Sequence, residues 1–117
     1  MKKIGQTIIE EGIVQTNNLK TRTTARAIII NQDKVLLLYS KKYDDYTTPG
    51  GGIKENENYQ QALVRELKEE LGVRKVKIIQ EIGYTVEIRF GLSKKENIYQ
   101  QKSFYYLCQI DSIGQPD

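Results

Sequence analysis

Apolar residues in the first half of the chain come in short runs separated by polar turns, a pattern typical of β-strands. Two such runs, Ile28–Ile30 and Val35–Leu38, flank the polar turn Asn31–Asp33, and this arrangement predicts a β-hairpin. Because these runs are apolar at consecutive positions, they predict strands buried on both faces. Residues 1–20 are weakly patterned, and the only element predicted there is a short strand at Thr7–Ile9.

The clearest helix is predicted after Pro49 and glycines 50–52, which form a pronounced chain break. Asn58 and Gln61 have the spacing of a capping box, which begins a helix, and Gly72 is placed to end one. Between these caps, apolar side chains recur at helical spacing and form one stripe that should face a core. The stripe consists of Leu63, Val64, Leu67 and Leu71.

The second half of the chain returns to strand patterns. Residues 82–90 alternate strictly between apolar and polar, and Phe104–Ile110 is also strand-like, with a polar loop at Ser93–Gln101 between them. Strands, one long helix and further strands predict an α/β fold with a mixed sheet. We therefore expect one domain over residues 21–117, preceded by the N-terminal segment 1–20.

Composition narrows the class of protein. A chain of 117 residues suits a single domain, and it has no apolar run approaching the ~20 residues of a membrane span. The lone cysteine, Cys108, forms no internal disulfide, which fits a reducing cytosol and a small buried hydrophobe on a strand. From these features we expect a cytoplasmic protein that does not enter a membrane.

The chain contains no histidine. Histidine general bases, Ser-His triads, Cys-His dyads and histidine metal sites are therefore excluded together. Any acid–base chemistry must use carboxylates, lysine, tyrosine or metal-bound water.

Charge is distributed unevenly along the chain. Residues 1–42 carry eight basic and three acidic side chains, whereas residues 43–70 carry three basic and seven acidic ones. An acidic centre between basic flanks suits a cation site that binds an anionic ligand. Charges scattered over the surface would give similar net charges for these segments. A nucleic-acid binder would more often have one continuous basic stripe, so no nucleic-acid partner is expected.

Three carboxylates, those of Glu66, Glu69 and Glu70, fall on one sector of the predicted helix. Like charges at this spacing repel by up to ~0.5 kcal/mol per pair. Most Glu/Lys-rich helices are solvated and salt-laced, but Glu66 has no basic residue four positions later. Glycines 50–52 lie just upstream and can bring backbone carbonyls close. Carboxylate and carbonyl oxygens are hard ligands, which predicts a Mg²⁺ or Mn²⁺ site.

From Gly51 to Val73 the sequence has glycine, five residues, Glu57, seven residues, Arg65-Glu66-Leu67, one residue, Glu69-Glu70, one residue and Gly72-Val73. This pattern resembles the complete signature box of the Nudix (MutT-type) hydrolases. The resemblance implies the family's α/β/α sandwich with a mixed sheet. It also implies a pyrophosphohydrolase that uses Mg²⁺, with Mn²⁺ as a substitute, to cleave a nucleoside diphosphate linked to another group.

The resemblance implies roles for individual residues. Glu66, Glu69 and Glu70 would ligate the metal with the carbonyl of Gly50, and Glu57 would contribute directly or through water. Arg65 would orient the glutamates, and Glu66 is our choice of general base. The rest are weaker candidates. A distant acid competing with Glu66 would be Glu87 or Glu96, and the phosphate contacts would be Arg26, Lys41 and Lys42.

The family usually continues into a second helix, which is missing from this sequence. Either the chain is a fragment, or the open sheet face is covered by residues 1–18, by a partner subunit in a homodimer, or by nothing. An uncovered face should expose apolar side chains at Ile28–Ile30 or Phe104–Ile110. Two functions compete with hydrolysis: a Nudix domain that senses a nucleotide derivative without turnover, and a small basic RNA-binding module.

Overall fold

A computed structural model describes residues 1–14, 19–41, 43–91 and 97–114. Its strands are β1 (Ile8–Ile9), β2 (Lys20–Ile28), β3 (Ile30–Asn31), β4 (Lys34–Val35), β5 (Leu38–Ser40), β6 (Asp45–Thr47), β7 (Gly50–Gly52), β8 (Val76–Phe90) and β9 (Ile98–Ile110). Five of them form a central mixed sheet in the order β1-β8-β9-β2-β7, and two small hairpins, β3-β4 and β5-β6, lie outside this sheet. The predicted α/β fold with a mixed sheet is confirmed.

Helix α1 (Tyr59–Leu71) begins and ends where the sequence predicts. Asn58 is its N-cap: the Asn58 side chain accepts a hydrogen bond from the Gln61 backbone N–H at 2.7 Å, and the Gln61 side chain accepts one from the Asn58 N–H at 2.9 Å. Gly72 follows in the left-handed region with φ of 63°, which a glycine adopts without steric cost. Both predicted caps are confirmed.

The core lies between α1 and one face of the sheet. The helix contributes three leucines of the predicted stripe, the central strands contribute small and aromatic side chains, and Cys108 is buried among them as expected. The buried cluster comprises Ala25, Ala27, Ile29, Leu63, Leu67, Leu71, Val73, Tyr106 and Cys108. Alanines on β2 let the helix approach the sheet closely, which brings the polar edge of α1 beside the glycine strand β7.

Three pairings position β7. Strand β8 is antiparallel to β9, β9 is parallel to β2, and β2 is antiparallel to β7. Strand β7 is therefore an edge strand of the sheet. At the opposite edge β1 pairs in parallel with β8, so the predicted short strand at Thr7–Ile9 is confirmed at Ile8–Ile9.

The predicted hairpin exists, but its strands are not buried on both faces. Ile30 pairs with Val35 across a turn at residues 32–33, and both turn residues have positive φ, as a tight hairpin turn requires. Ile30 is 56% exposed, Val35 50% and Leu37 47%. The hairpin leaves the main sheet after β2 ends, so of this region mainly Ile29 enters the buried core.

Strand β8 is longer than the predicted run and is interrupted twice. Register shifts between Ile78 and Gln80, and between Glu81 and Gly83, each leave one residue without a direct partner on β9. These extra residues are Ile79 and Ile82, which are 45% and 43% exposed. Ile82 is therefore exposed although it begins the predicted alternating run, because a β-bulge changes which face a side chain occupies.

Within the described ranges α1 is the only helix, and it covers one face of the sheet. This helix is too short and too polar to cross a membrane.

Candidate metal and phosphate site

Gly50 occupies a place on β7 that a larger residue cannot take. It lies opposite Arg26 on β2 and has φ of +135°. A Cβ atom there would collide with the carbonyl oxygen of Ala25 and would lie 2.9 Å from the Cα of Arg26. The close backbone approach fixes Gly50 against β2, directly beside the acidic edge of α1.

The carboxylate of Glu66 lies directly against Gly51. A Cβ atom on Gly51 would be 2.7 Å from both Cδ and Oε1 of Glu66. The glycine therefore leaves the space that the carboxylate fills. The helix and the glycine strand are in contact through this pair, which joins the predicted carboxylate patch to the predicted source of backbone carbonyls.

Glu70 is tied to the same strand. The Gly50 N–H donates a hydrogen bond to Oε1 of Glu70 at 2.8 Å. Burial of the side chain raises the pKa of Glu70 above its ordinary value, and the Glu66 carboxylate adds to that rise, while the Gly50 N–H and Arg26 oppose it. A nearby cation would offset these destabilising effects on the charged carboxylate.

Arg65 is the centre of an ion-pair network on this edge of the helix. Its guanidinium donates to Glu57 through Nε at 2.7 Å, to Glu66 at 3.0 Å and to Glu69 at 3.4 Å. It also donates to the carbonyl oxygen of Gly52 at 3.1 Å. The predicted pair with Glu69 is therefore present, and Glu66, which has no basic residue four positions later, pairs with the residue immediately before it.

Both oxygens of Glu57 are engaged by the protein. Arg65 donates to each oxygen, and the Lys54 backbone N–H donates to Oε1 at 2.8 Å. The hydrogen bonds from Arg65 are the main reason why the pKa of Glu57 falls to about 2, with the Lys54 N–H as the next cause. In return Glu57 raises the pKa of Arg65 above its ordinary value. In this geometry the main partner of the Glu57 carboxylate is the Arg65 guanidinium.

Arg26 reaches the turn that precedes the glycines. Its Nη1 donates to the carbonyl oxygen of Thr48 at 3.0 Å and to that of Gly50 at 3.2 Å. Burial lowers the pKa of Arg26 from its ordinary value, and the carboxylate of Glu70 acts in the opposite direction. The side chain lies among the residues that the sequence assigns to the metal.

The donor set fits a hard divalent cation, although the carboxylates do not converge on one point. In the part of the chain that the structure describes, no group of three or more Asp, Glu, His or Cys residues is arranged to hold a metal. Each of these glutamates is directed to a protein cation or to a backbone N–H. Oxygen donors from Glu66, Glu70 and the Gly50 carbonyl, in a space kept open by Gly51, match the preference of Mg²⁺ or Mn²⁺.

Of the remaining weaker candidates, the structure describes Lys41 and Glu87. Lys41 is exposed between β5 and β6, and Lys42 and Glu96 lie outside the described residues. Glu87 pairs with Gln101, which in turn pairs with Arg22, four residues before Arg26 on the same strand. The sheet therefore separates Glu87 from the box by two strands and by four residues of register.

Two contacts of this site were missed by the sequence reasoning. Neither the hydrogen bond from Gly50 to Glu70 nor the contact of Arg26 with Thr48 was predicted. The pairing of Arg26 with Gly50 depends on the register between β2 and β7, which are separated by two small hairpins. The one available signal was an arginine between two alanines, just before the apolar run Ile28–Ile30.

Comparison with known proteins agrees with the resemblance found in the sequence. The NUDIX domain family model matches residues 20–117. The RNA pyrophosphohydrolase of Saccharophagus degradans is 33% identical over 95 residues, which is 73% of this chain and 55% of the relative. The RNA pyrophosphohydrolase of Hydrogenovibrio crunogenus is 43% identical over 53 residues, covering 44% of this chain and 32% of the relative. The chain therefore spans about a third to a half of these curated relatives.

A solved structure shares the fold. The ADP-ribose pyrophosphatase of Streptococcus suis superposes with a TM-score of 0.59 and 23% sequence identity. The match covers 82% of this chain and 66% of that protein.

Proposed function

The chain belongs to the NUDIX domain family, and we propose that it is a divalent-metal-dependent hydrolase of pyrophosphate bonds in nucleotide-derived substrates. The observation that carries this proposal is the contact between Glu66 and Gly51, beside the carbonyl-bearing Gly50. The carboxylate of the helix there lies against the strand that carries the backbone carbonyls, and the two elements follow each other in the chain. A salt-laced surface helix would have no reason to place its glutamate against a bare glycine.

The proposed metal ligands are Glu66, Glu70 and the Gly50 carbonyl, with Glu69 at the exposed edge of the same helix face. When bound, Mg²⁺ or Mn²⁺ would neutralise phosphate charge and lower the pKa of a bound water. Glu66 is the proposed general base for the attacking water, and Glu87, which lies on β8 with two strands between it and β7, is the weaker alternative to Glu66. Because Arg65 pairs with Glu66 and Glu69, it would hold these carboxylates in orientation.

Glu57 has an indirect part in this proposal. Its two hydrogen bonds fix the Arg65 guanidinium, and the guanidinium in turn contacts Glu66. Residues that orient metal ligands typically change metal affinity or activity by about 10- to 100-fold when they are altered. Glu57 is therefore proposed as the residue that positions Arg65, with any contact to the metal made through water.

The proposed substrate is anionic, and basic side chains near the site would bind its phosphates. Arg26 is the first candidate for a phosphate contact, and Lys41 and Lys42 are further candidates from the sequence. The relatives named RNA pyrophosphohydrolase and ADP-ribose pyrophosphatase suggest two substrate classes, a pyrophosphate-bearing RNA and a nucleoside diphosphate linked to another group. Loops outside the box would choose between them.

A substrate screen tests the proposal. The purified chain is incubated with nucleoside diphosphate derivatives and with RNA that carries a terminal pyrophosphate bond, in Mg²⁺ and in excess chelator, and released phosphate or pyrophosphate is measured. We expect turnover only with the divalent ion, increasing from acidic to alkaline pH as a carboxylate or metal-bound water loses its proton. Undiminished hydrolysis in chelator would contradict metal dependence. Tight binding without turnover would favour a sensor.

A further inference from the structure

Two backbone carbonyls converge on a single cationic nitrogen in this site. Nη1 of Arg26 accepts no hydrogen bond and donates to the oxygens of Thr48 and Gly50, at 3.0 and 3.2 Å. The two carbonyls belong to the turn that leads into β7, and the Pro49 carbonyl between them accepts the Ala27 N–H at 2.8 Å. The turn thus presents two oxygens to one positive charge.

Burial disfavours the charged form of Arg26, and the neighbouring carboxylates oppose that effect. The carboxylates of Glu70 and Glu66 both stabilise the charged guanidinium, with Glu70 the stronger of the two. The side chain is half-buried, and arginine stays protonated in proteins. A charged group held among carboxylates and carbonyls supplies the positive charge that these oxygens need in the absence of another cation.

We propose that Arg26 is a built-in counter-cation that the divalent metal displaces from the Gly50 carbonyl, which frees its guanidinium for the phosphate of the substrate. This inference rests on the proposed metal site. Both cations require the same oxygen, and two positive charges close to one carbonyl repel each other. Metal binding should therefore move the guanidinium, and the displaced side chain remains anchored on β2 beside the site.

A purely structural role for Arg26 predicts the opposite change in metal affinity. If Arg26 only pins the Thr48–Gly50 turn, its removal loosens a ligand-bearing segment and metal binding weakens. If Arg26 competes with the metal, its removal strengthens metal binding. The sign of the change in affinity separates the two roles.

Mn²⁺ affinity, measured by calorimetry on the full chain without substrate, is the first readout. We expect Arg26→Gln to bind Mn²⁺ about tenfold more tightly than the unchanged protein, because a competing charge is removed. Arg26→Lys, which keeps the charge, should stay within about threefold of the unchanged protein. Arg22→Gln is the control, since it removes an exposed positive charge four residues earlier on the same strand and should change the affinity by less than about threefold.

The second readout is the NMR signal of Arg26 in the unchanged protein, whose folding no substitution alters. In nitrogen-15 spectra of the unchanged protein, the side-chain Nε–H signal of Arg26, assigned with Arg26→Lys, should shift during a Mg²⁺ titration. A third readout is inorganic pyrophosphate, which the Mn²⁺-loaded Arg26→Gln protein should bind about tenfold more weakly than the unchanged protein. Undiminished pyrophosphate affinity would overturn the role of the freed guanidinium.

The outcomes distinguish this inference from the proposed function. If the unchanged protein binds no Mn²⁺, both the metal site and the displacement fail. If it binds Mn²⁺ but Arg26→Gln binds equally or less tightly, or if the Arg26 signal stays fixed during the Mg²⁺ titration, only the displacement is overturned. Tighter Mn²⁺ binding together with a shifted Arg26 signal supports it.

Discussion

Arg65 holds Glu57 by two hydrogen bonds, from Nε to Oε2 at 2.7 Å and from Nη2 to Oε1 at 3.0 Å. This paired geometry matches the planar guanidinium to the planar carboxylate. Glu57 lies just before α1, whereas Arg65 lies in its second turn, and the same guanidinium also binds the Gly52 carbonyl. The pair therefore ties the glycine strand, the connecting loop and the helix together at one point.

The Arg65–Glu57 pair predicts a pH-dependent contribution to stability. The pKa of Glu57 is about 2 in the folded protein, below its ordinary value of 4.5, so the unfolded chain binds the proton more readily. The stabilisation is fully present above about pH 4.5 and is lost as the pH falls towards about 2. Glu57→Gln removes it, so we expect the difference in unfolding free energy between the two proteins to shrink over that range. Urea unfolding at a series of pH values measures this difference.

The control for this experiment is Glu55→Gln, an exposed neighbour on the same loop. Its effect on stability should be small at every pH. A Glu57→Gln effect that is equally large near pH 2.5 and near pH 7 would mean that the Arg65 contact does not set the pKa of Glu57.

The three glycines of β7 should respond differently to alanine. Gly50→Ala places a Cβ against the backbone of β2 at a φ of +135°, so we expect a loss of at least about 2 kcal/mol in folding stability. Gly51→Ala meets only the end of the Glu66 side chain, at 2.7 Å, so folding should survive while the carboxylate shifts. A displacement of this kind can reduce turnover by about 10²-fold.

Gly52→Ala is the matched control, because a Cβ there meets no other atom within 4 Å. Thermal unfolding and Mg²⁺-dependent turnover of the three variants separate folding from site geometry. Full activity of a folded Gly51→Ala protein would show that the position of Glu66 against Gly51 is unimportant for the reaction.

The sequence predicted the limits of the helix better than it predicted the strands. The limits of α1 follow from local interactions, namely the Asn58–Gln61 box and the left-handed Gly72, which a sequence displays directly. The exposed Ile79 and Ile82 follow from bulges, which depend on how β8 pairs with β9. The same holds for the contact of Arg26 with Gly50, since strand register is a non-local property.

Cys108 gives an independent check of the fold. Its side chain is 2% exposed, and burial raises the pKa of the thiol to about 11. The reactive thiolate is therefore scarce below that pH, and the sulfur is inaccessible. We expect a thiol reagent at about pH 8 to label the folded protein at least about 10²-fold more slowly than the urea-unfolded chain. Rapid labelling of the folded protein would contradict the placement of β9.

The exposed β3–β4 hairpin predicts weak self-association. Ile30 and Val35 are paired across the hairpin, and Leu37 follows them, with about half of each side chain exposed. Ile30 is exposed, but it lies on this hairpin and not on the open face of the main sheet to which the sequence expectation refers. We expect concentration-dependent dimers in light scattering, with an affinity in the micromolar range or weaker because the patch is small. Ile30→Lys together with Val35→Lys should yield a monomer, and a monomer at all concentrations of the unchanged protein would rule the patch out as an interface.

The glutamates of the box should rank by their contacts. Glu66→Gln keeps the shape of the side chain but removes a metal ligand and the proposed base, so turnover should fall by roughly 10² to 10⁴. Glu57→Gln acts only through Arg65 and should reduce turnover by about 10- to 100-fold. Lys68→Gln alters an exposed side chain and should leave turnover within about twofold of the unchanged protein. The measurement is turnover at saturating Mg²⁺ with a substrate confirmed by the screen.

Stability must be measured beside turnover in this series. Glu66 loses its ion pair with Arg65 at 3.0 Å on substitution, but repulsion from Glu69 and Glu70 is relieved, so we expect a net change within about 1 kcal/mol. A loss of turnover in a stable Glu66→Gln protein then reports on chemistry. If Glu66→Gln turned over normally while Lys68→Gln did not, the acidic patch would be ordinary surface charge, and the contact with Gly51 would have no catalytic meaning.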